Sequence, residues 1–192
     1  QNSDREASTF WAGCGAIRKD VLRKMGGFSS HPIEDIELGF RMREQGYSIL
    51  LDRDIQVTHL KRWDWKSMIM TDVFVRAMPW SKLIFSYDSF KTDLNLSISS
   101  RISTALVGLL FIILVLLGLD LAGFELITSN YTITALALTV IWLVILNRGL
   151  YGFFLEKRGL VFTLRAIPVH FLYYFYCGVS FLVSWLGYKL NI

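Results

Sequence analysis

The chain has 192 residues, of which 53% are hydrophobic and 19% are charged, and it carries a formal net charge of +4. This composition is too apolar for an ordinary soluble domain. The sequence lacks the clustered Lys and Arg face of a nucleic-acid-binding protein, which excludes nucleic acid as a predicted partner. Cys14 and Cys177 fall in regions of different polarity, so no disulfide is expected between them.

Most charged residues lie in the first half of the chain. Residues 1–100 contain 14 Lys/Arg and 13 Asp/Glu, whereas residues 101–192 contain 6 Lys/Arg and 3 Asp/Glu. This asymmetry predicts two domains, a polar one over residues 1–95 and a membrane domain over residues 96–192.

Two helices are predicted early in the polar domain. Asp20–Met25 predicts a short helix that stops at the pair Gly26-Gly27. Pro32–Gln45 predicts a second helix, because proline suits a first helical turn and Gly46 suits a C-terminal cap.

Three more elements are predicted before the membrane domain. Tyr47–Leu51 and Ile55–Thr58 are rich in apolar and β-branched residues, which predicts two short strands. Trp65–Met78 mixes large apolar side chains with three charged ones, a pattern typical of an amphipathic helix on a membrane surface.

Three apolar runs in the membrane domain have the length that crosses a bilayer, about 20 residues, and they cover residues 102–121, 126–147 and 166–188. Buried core helices are the alternative, but three consecutive runs of this length are rare in soluble folds. The positive-inside rule places the segment between the second and third runs in the cytoplasm, because it carries Arg148, Lys157, Arg158 and Arg165. We therefore predict a multi-pass protein of the cell membrane whose polar domain is cytoplasmic.

The densest acidic feature, Glu34-Asp35-Ile36-Glu37, lies near the start of the second predicted helix. The helix dipole favours anions at this end, so a carboxylate there stays ionised and can accept a proton. A structural role is the alternative, because acidic residues are common in first helical turns and Glu37 with Arg41 forms an ordinary i,i+4 pair.

The neighbouring motifs favour a functional role for these carboxylates. In chain order they are Gly13-Cys14-Gly15-Ala16-Ile17-Arg18, Gly26-Gly27-Phe28, Glu34-Asp35-Ile36-Glu37-Leu38-Gly39-Phe40-Arg41, Gln45-Gly46-Tyr47 and Val57-Thr58-His59. Over residues 9–90 this order and spacing resembles the acceptor-side half of the family-2 glycosyltransferases. The resemblance implies an α/β fragment of a GT-A (Rossmann-like) catalytic domain over residues 1–95, followed by an all-α transmembrane region of three helices.

The resemblance also implies a reaction. Family members transfer a sugar from a nucleotide-sugar donor to an acceptor with inversion at the anomeric carbon. For this chain the resemblance implies a hexosyltransferase-like enzyme of the membrane with a lipid-linked or polysaccharide acceptor. The family's base is the second residue of its Glu-Asp pair, which matches Asp35, and Glu34 beside it is a second candidate catalytic residue. A divalent metal, Mn²⁺ or Mg²⁺, stabilises the departing diphosphate in the family. His59 matches a position where some members contact the metal or the diphosphate, and a histidine that caps a strand end is the alternative.

Five more residues are candidates for substrate binding. Gly13 and Gly15 would let the backbone approach a substrate closely, although a simple turn also accounts for two glycines. Glu37 matches the family's second acidic position, where a structural role is the alternative. Arg76 and Trp80 fall where processive polysaccharide synthases carry Gln-x-x-Arg-Trp. Because the match keeps only the tryptophan, processive synthesis is disfavoured, and Trp80 also suits an interfacial membrane anchor.

The family's Asp-x-Asp metal motif and its nucleotide-binding strands lie upstream of the motifs present in this chain. Asp52-Arg53-Asp54 fits the pattern but follows the base, so we interpret it as a polar turn. We therefore expect the chain to lack the donor-binding half and to be inactive alone. The alternative is a non-catalytic membrane protein whose degenerate transferase remnant binds a partner. A small transporter is a weaker alternative, because the spans contain few ionisable residues beyond His170.

Overall fold

Helices make up 76% of the residues that the structure describes, more than the predicted mixture of α and β structure implies. A computed structural model describes residues 6–7, 9–29, 32–52, 54–58, 60–86, 97–124 and 129–190. In chain order the elements are β1 (Glu6–Ala7), a 3-10 turn (Ala12–Cys14), α1 (Lys19–Lys24), α2 (Glu34–Glu44), β2 (Ile49–Leu50), α3 (Trp65–Met70), a π-helical segment (Thr71–Ala77), α4 (Met78–Ser86), α5 (Ile98–Leu121), α6 (Ser129–Leu146) and α7 (Arg148–Leu190). The chain divides into two compact units. The first unit is Gln1–Ser89 with Ser184–Ile192, and the second unit is Phe90–Val183.

The predicted GT-A (Rossmann-like) α/β fold is wrong. The described residues contain one sheet, in which β1 and β2 pair antiparallel with Glu6 opposite Leu50 and Ala7 opposite Ile49. A Rossmann-like domain is built on parallel strands joined by helical crossovers, and none of the described residues form such a sheet.

The two predicted strands differ in outcome. Tyr47–Leu51 is reduced to the two residues of β2, and Ile55–Thr58 forms no strand. Ile55 and Val57 are 64% and 52% exposed, so neither a partner strand nor a core covers their side chains. A strand-like sequence pattern becomes a strand only where tertiary contacts bury one face.

Both predicted helices of the polar domain are confirmed: α1 begins and ends one residue earlier than predicted, and α2 is shorter than predicted. α1 ends at Lys24, and Gly26 and Gly27 follow its C-cap with left-handed φ angles of 76° and 78°. Their N–H groups donate to carbonyl oxygens in the last turn of α1, so these carbonyl groups have hydrogen-bond partners at the end of the helix. α2 begins at Glu34 rather than Pro32, because Ile33 has the non-helical φ of −120° and ψ of 52°.

Two apolar clusters fix α2 within the first unit. The first cluster consists of Phe10, Val21, Met25, Leu38, Met42 and Ile49. The second joins Ile33, which precedes α2, and Phe40 of α2 to Leu83 of α4. Because burial of apolar side chains is the main stabilising term in folding, these clusters make α2 the central helix of the unit and determine where its first turn lies.

The predicted interfacial helix over Trp65–Met78 is α-helical only at its start. Asp64 and Ser67 form a capping box, in which each side chain accepts a hydrogen bond from the other residue's N–H. The hydrogen bonds from Ser67 hold the pKa of the Asp64 carboxyl below its ordinary value. The π-helical segment follows α3 directly and continues into α4, so the helical run extends to Ser86.

The predicted count of three membrane spans is also wrong. Among the described residues two helices, α5 and α7, are long and apolar enough to cross a membrane. The apolar part of α6, Asn130–Leu146, is shorter than the roughly 20 residues that a crossing takes.

The segment predicted as a cytoplasmic loop, residues 148–165, is helical instead. The Asn147 N–H donates to Leu143 and the Asn147 carbonyl accepts from Tyr151, so the helical hydrogen bonds continue from α6 into α7. The helix is interrupted at Gly159, whose φ of 79° and ψ of 175° lie outside the helical region. Glycine adopts such a conformation without the steric penalty of a Cβ atom.

Candidate functional site

The first turn of α2 carries the three carboxylates of the acidic motif, Glu34, Asp35 and Glu37. The N–H groups of a first turn have no partners within the helix, and the dipole adds positive potential there. All three side chains therefore lie where a negative charge is favoured. Their surroundings differ, and those differences decide which of them can react.

Asp35 is partly exposed and is held by two backbone groups. Its Oδ1 accepts a hydrogen bond from the Ile36 N–H at 2.8 Å, and its Oδ2 accepts one from the Ala12 N–H at 3.3 Å. No ion pair among the described residues involves Asp35. The carboxylate is thus oriented without a neutralising cation, which suits a proton acceptor.

The contact with Ala12 exists because a nearby segment crosses α2 closely. A Cβ atom on Gly39 would lie 2.4 Å from the Phe10 nitrogen and 2.9 Å from the Thr9 Cα. Gly39 is four residues after Asp35, so both positions face the same side of the helix. The segment Thr9–Ala12 therefore passes over Gly39 and reaches Asp35 one turn away.

Gly13 and Gly15 lie directly after this crossing. A Cβ atom on Gly15 would meet the Trp11 carbonyl oxygen and the Phe10 ring at 2.7 Å. A Cβ atom on Gly13 would meet the Trp11 indole, also at 2.7 Å. The structure thus brings the predicted glycine motif next to the predicted base, and it gives Gly15 a packing role because its neighbour is backbone.

Glu37 is buried, and both oxygens of its carboxylate accept hydrogen bonds. Its two carboxylate oxygens accept from Arg41 Nε at 2.6 Å and Arg41 Nη2 at 2.9 Å. Arg41 also donates to the carbonyl oxygens of Met25 and Gly27, the latter at 2.9 Å. This cluster ties α2 to the C-terminal end of α1, a stabilising role, and substrate binding by Glu37 stays a prediction.

Glu34 is partly exposed, and no hydrogen bond or ion pair within the described residues involves its side chain. Trp80 is partly buried against the second apolar cluster, which includes Phe40 of α2 and Ile33 just before that helix. Its indole Nε1–H is buried and has no acceptor among the described residues. An unsatisfied buried donor costs about 1–3 kcal/mol.

Arg76 does not belong to this group of residues. It lies in the π-helical segment, and its Nη1 forms an ion pair with Asp72 Oδ1 at 3.0 Å. Its guanidinium also lies 5.4 Å from the centre of the Trp63 ring. The predicted substrate-binding role of Arg76 therefore has no geometric link to Asp35 among these contacts.

A metal site for Mn²⁺ or Mg²⁺ is not formed by the described residues. Nowhere in the described ranges do three His, Cys, Asp or Glu side chains come together to hold an ion. The predicted ligand His59 lies outside the described residues. Asp52 Oδ1 accepts from the Asp54 N–H at 3.0 Å, which agrees with the interpretation of this stretch as a polar turn.

Two residues of the site, Gly39 and Arg41, have roles that the sequence analysis missed. A glycine inside a helix is destabilising unless something needs the space, which is a signal that a close approach occurs there. The spacing predicted Arg41 only as the i,i+4 partner of Glu37, because its bonds to α1 depend on the tertiary fold.

Comparisons of the chain with protein families, with curated proteins and with solved structures find no match.

Proposed function

We propose that the chain is the acceptor-side part of a membrane-bound, inverting glycosyltransferase in which Asp35 is the general base. The observation that supports this best is the setting of Asp35, a partly exposed carboxylate at a helix N-terminus, oriented by the Ala12 N–H. The proposal does not rest on a GT-A fold.

In the proposed reaction the Asp35 carboxylate takes the proton of an acceptor hydroxyl. The resulting oxygen nucleophile attacks the anomeric carbon of a nucleotide-sugar donor from the face opposite the leaving group. The new glycosidic bond forms as the bond to the nucleoside diphosphate breaks, and the configuration inverts. General base catalysis of this kind contributes about 10²- to 10⁴-fold to a rate.

Other residues of the site have supporting roles in the proposal. Trp80 would support the site through its ring, which packs against the second apolar cluster beside the first turn of α2. Glu34 would orient the acceptor beside the base. A divalent ion, Mn²⁺ or Mg²⁺, would neutralise charge on the departing diphosphate, and its ligands are not found among the described residues.

The proposed location is the cytoplasmic face of the cell membrane, with a lipid-linked or glycan acceptor. Two crossing helices, α5 and α7, return the chain to the side on which it began. Arg101 lies at the start of α5, whereas the described residues that follow α5, Ala122–Phe124, include no cation, and the positive-inside rule favours a cytoplasmic start for this helix.

The substitution Asp35→Asn tests the proposal, because asparagine keeps the shape of the side chain and cannot accept the proton. Membranes that contain the full-length protein are incubated with a panel of nucleotide sugars, and the release of nucleoside diphosphate is measured. We expect kcat to fall about 10²- to 10⁴-fold with little change in donor affinity. Glu34→Gln is the matched control, for which we expect a smaller loss. Normal turnover by Asp35→Asn would refute the assignment.

The second candidate function is a non-catalytic, partner-binding module in the membrane. The observation that favours it is the small sheet, because β1 and β2 contribute two residues each and do not form a nucleotide-binding domain. This candidate predicts that membranes with the full-length protein release no nucleoside diphosphate above the level of membranes without it.

A further inference from the structure

An open cleft of about 450 Å³ lies in the first unit, away from the residues that contact Asp35. It is lined by Lys61, Trp63, Met68, Asp72 and Arg76. These residues come from the segment before α3, from α3 itself and from the π-helical segment. The π-helical turn widens the spacing of side chains relative to an α-helix, and such turns occur frequently at functional sites.

Two cations flank one aromatic ring in this cleft. Lys61 Nζ lies 4.0 Å from the centre of the Trp63 ring, and the Arg76 guanidinium lies 5.4 Å from it. Attraction to the ring face keeps both charges beside the cleft. One carboxylate, Asp72, is present, so the charges that line the cleft sum to about +1.

The single carboxylate is engaged with one of the two cations. Asp72 Oδ1 accepts from Arg76 Nη1 at 3.0 Å, and the Asp72 side chain is 16% exposed while that of Arg76 is 57% exposed. More than half of the Arg76 side chain therefore stays accessible despite this ion pair. A planar guanidinium of this kind suits phosphate oxygens, which it can bind through two parallel hydrogen bonds.

Two exposed tryptophans lie at the cleft. Trp63, which lines it, is 39% exposed, and Trp65, which precedes Met68 by three residues and shares its helix face, is 59% exposed. Large exposed apolar side chains beside Lys and Arg are the composition of helices that lie in the headgroup region of a bilayer. The same chain carries two helices that are long and apolar enough to cross a membrane, so a bilayer surface is available to this segment.

We propose that this cleft binds the phosphate group of an anionic phospholipid, with Lys61 and Arg76 as the ligands of the phosphate. Trp63 and Trp65 then lie at the boundary between the headgroups and the acyl chains. A water-soluble phosphate ester offers the same charge but leaves these two indole rings in water, so the lipid is the favoured source. The inference rests on the membrane location in the proposed function and not on the transfer reaction.

Asp72 has a distinct role in this site. It competes with the phosphate for Arg76, because both are anions that pair with the same guanidinium. Replacing Asp72 by Asn removes the competitor, so lipid binding should increase. A residue that only maintained the fold would not raise the affinity when it was changed.

The experiment uses the full chain in a non-ionic detergent with phosphatidylglycerol or phosphatidylcholine, and native mass spectrometry counts the bound lipid. We expect phosphatidylglycerol to bind in preference to phosphatidylcholine. Lys61→Gln and Arg76→Gln should each weaken phosphatidylglycerol binding about fivefold, the effect of one cation near an anionic lipid surface. Lys61→Arg should retain binding, and Asp72→Asn should strengthen it.

Lys66→Gln is the matched control, because Lys66 is an exposed residue of α3 that does not line the cleft. It should change binding less than twofold. An equal loss of phosphatidylglycerol binding in Lys66→Gln and Lys61→Gln would overturn the proposal. It would mean that the anionic lipid is attracted by surface cations in general and not bound in this cleft. Displacement of the lipid by an equal concentration of glycerol 3-phosphate would also overturn it. Asp35→Asn should leave lipid binding unchanged, which separates this proposal from the transferase.

Discussion

A Cβ atom on Gly39 would lie 2.4 Å from the backbone nitrogen of Phe10, so α2 and the segment that crosses it touch backbone to backbone. This contact places the Ala12 N–H within hydrogen-bond distance of Asp35 Oδ2, one helical turn away. The orientation of the proposed base thus depends on a glycine that takes no part in the chemistry.

The first prediction follows from this contact. Alanine normally favours a helix over glycine by about 1 kcal/mol, but at Gly39 the added methyl group must displace backbone. We expect Gly39→Ala to destabilise the protein by about 1–3 kcal/mol, the range for overpacking. The melting temperature of the full chain in detergent measures the effect. Gly152→Ala is the control, because nothing lies within 4 Å of a Cβ atom at Gly152, and an equal loss there would contradict the argument.

The second prediction concerns the buried carboxylate of the acidic motif. Glu37→Gln removes the charge that pairs with Arg41 but keeps one hydrogen-bond acceptor. We expect a loss of about 2 kcal/mol in the free energy of unfolding, less than the full cost of leaving a buried charge unpaired. Glu156→Gln is the control, because its pair with Lys157 is 70% and 56% exposed and should contribute less than about 0.5 kcal/mol. Equal effects of the two substitutions would show that Glu37 does not anchor α2.

The third prediction concerns a buried polar cluster in the second unit. Asn147 Nδ2 donates to Ser103 Oγ at 2.9 Å, and Asn147 Oδ1 accepts from the Tyr174 hydroxyl at 2.8 Å. These bonds link α5 and α7 through the residue that joins α6 to α7. In a double-mutant cycle of Asn147→Ala and Ser103→Ala, we expect a coupling of about 0.6 kcal/mol, which is typical of hydrogen bonds between membrane helices.

The control for this cycle is Thr134→Ala. Thr134 Oγ1 donates to the Asn130 carbonyl of its own helix and is exposed, so it links no two helices. Paired with Asn147→Ala in thermal unfolding, it should show a coupling near zero. A coupling with Ser103 that is also near zero would mean that the bond between Asn147 and Ser103 does not stabilise the unit.

The fourth prediction concerns the sides of the membrane. Within the first unit, the rings of Phe85 and Tyr188 stack with their centres 5.5 Å apart, and Ser184 Oγ donates to the Met78 carbonyl at 3.5 Å. The end of α7 therefore lies beside α4. We expect Lys189 to be on the same side of the membrane as the N-terminal unit, which differs from the outside C-terminus that three spans predict.

Labelling with an impermeant thiol reagent measures these positions. Cys14 is exposed and reports on the N-terminal unit once Cys177 is replaced by Ser. In variants that lack both native cysteines, Lys189→Cys should react from the same side as Cys14, and Gly123→Cys from the opposite side. Reaction of Lys189→Cys and Gly123→Cys from the same side would contradict the two-span arrangement.

The sequence by itself determined the local features of this protein. The glycine pair at Gly26 and Gly27 predicted the end of α1, because glycine alone adopts left-handed φ angles without a steric penalty. The apolar run of α5 predicted a helix of membrane-crossing length, because length and composition are properties of a single segment. The acidic first turn of α2 was likewise visible from residue types and their spacing.

The tertiary structure alone decided how these features combine. The run Ile55–Thr58 forms no strand, and its side chains Ile55 and Val57 stay exposed, so one of the strands of the predicted α/β fold did not form. The exposure of Asp35 and the engagement of Glu37 with Arg41 could not be separated by spacing, since both carboxylates lie in one helical turn. Contacts such as those of Gly39 with Phe10 join residues far apart in the chain, and only the folded packing of α2 brings them together.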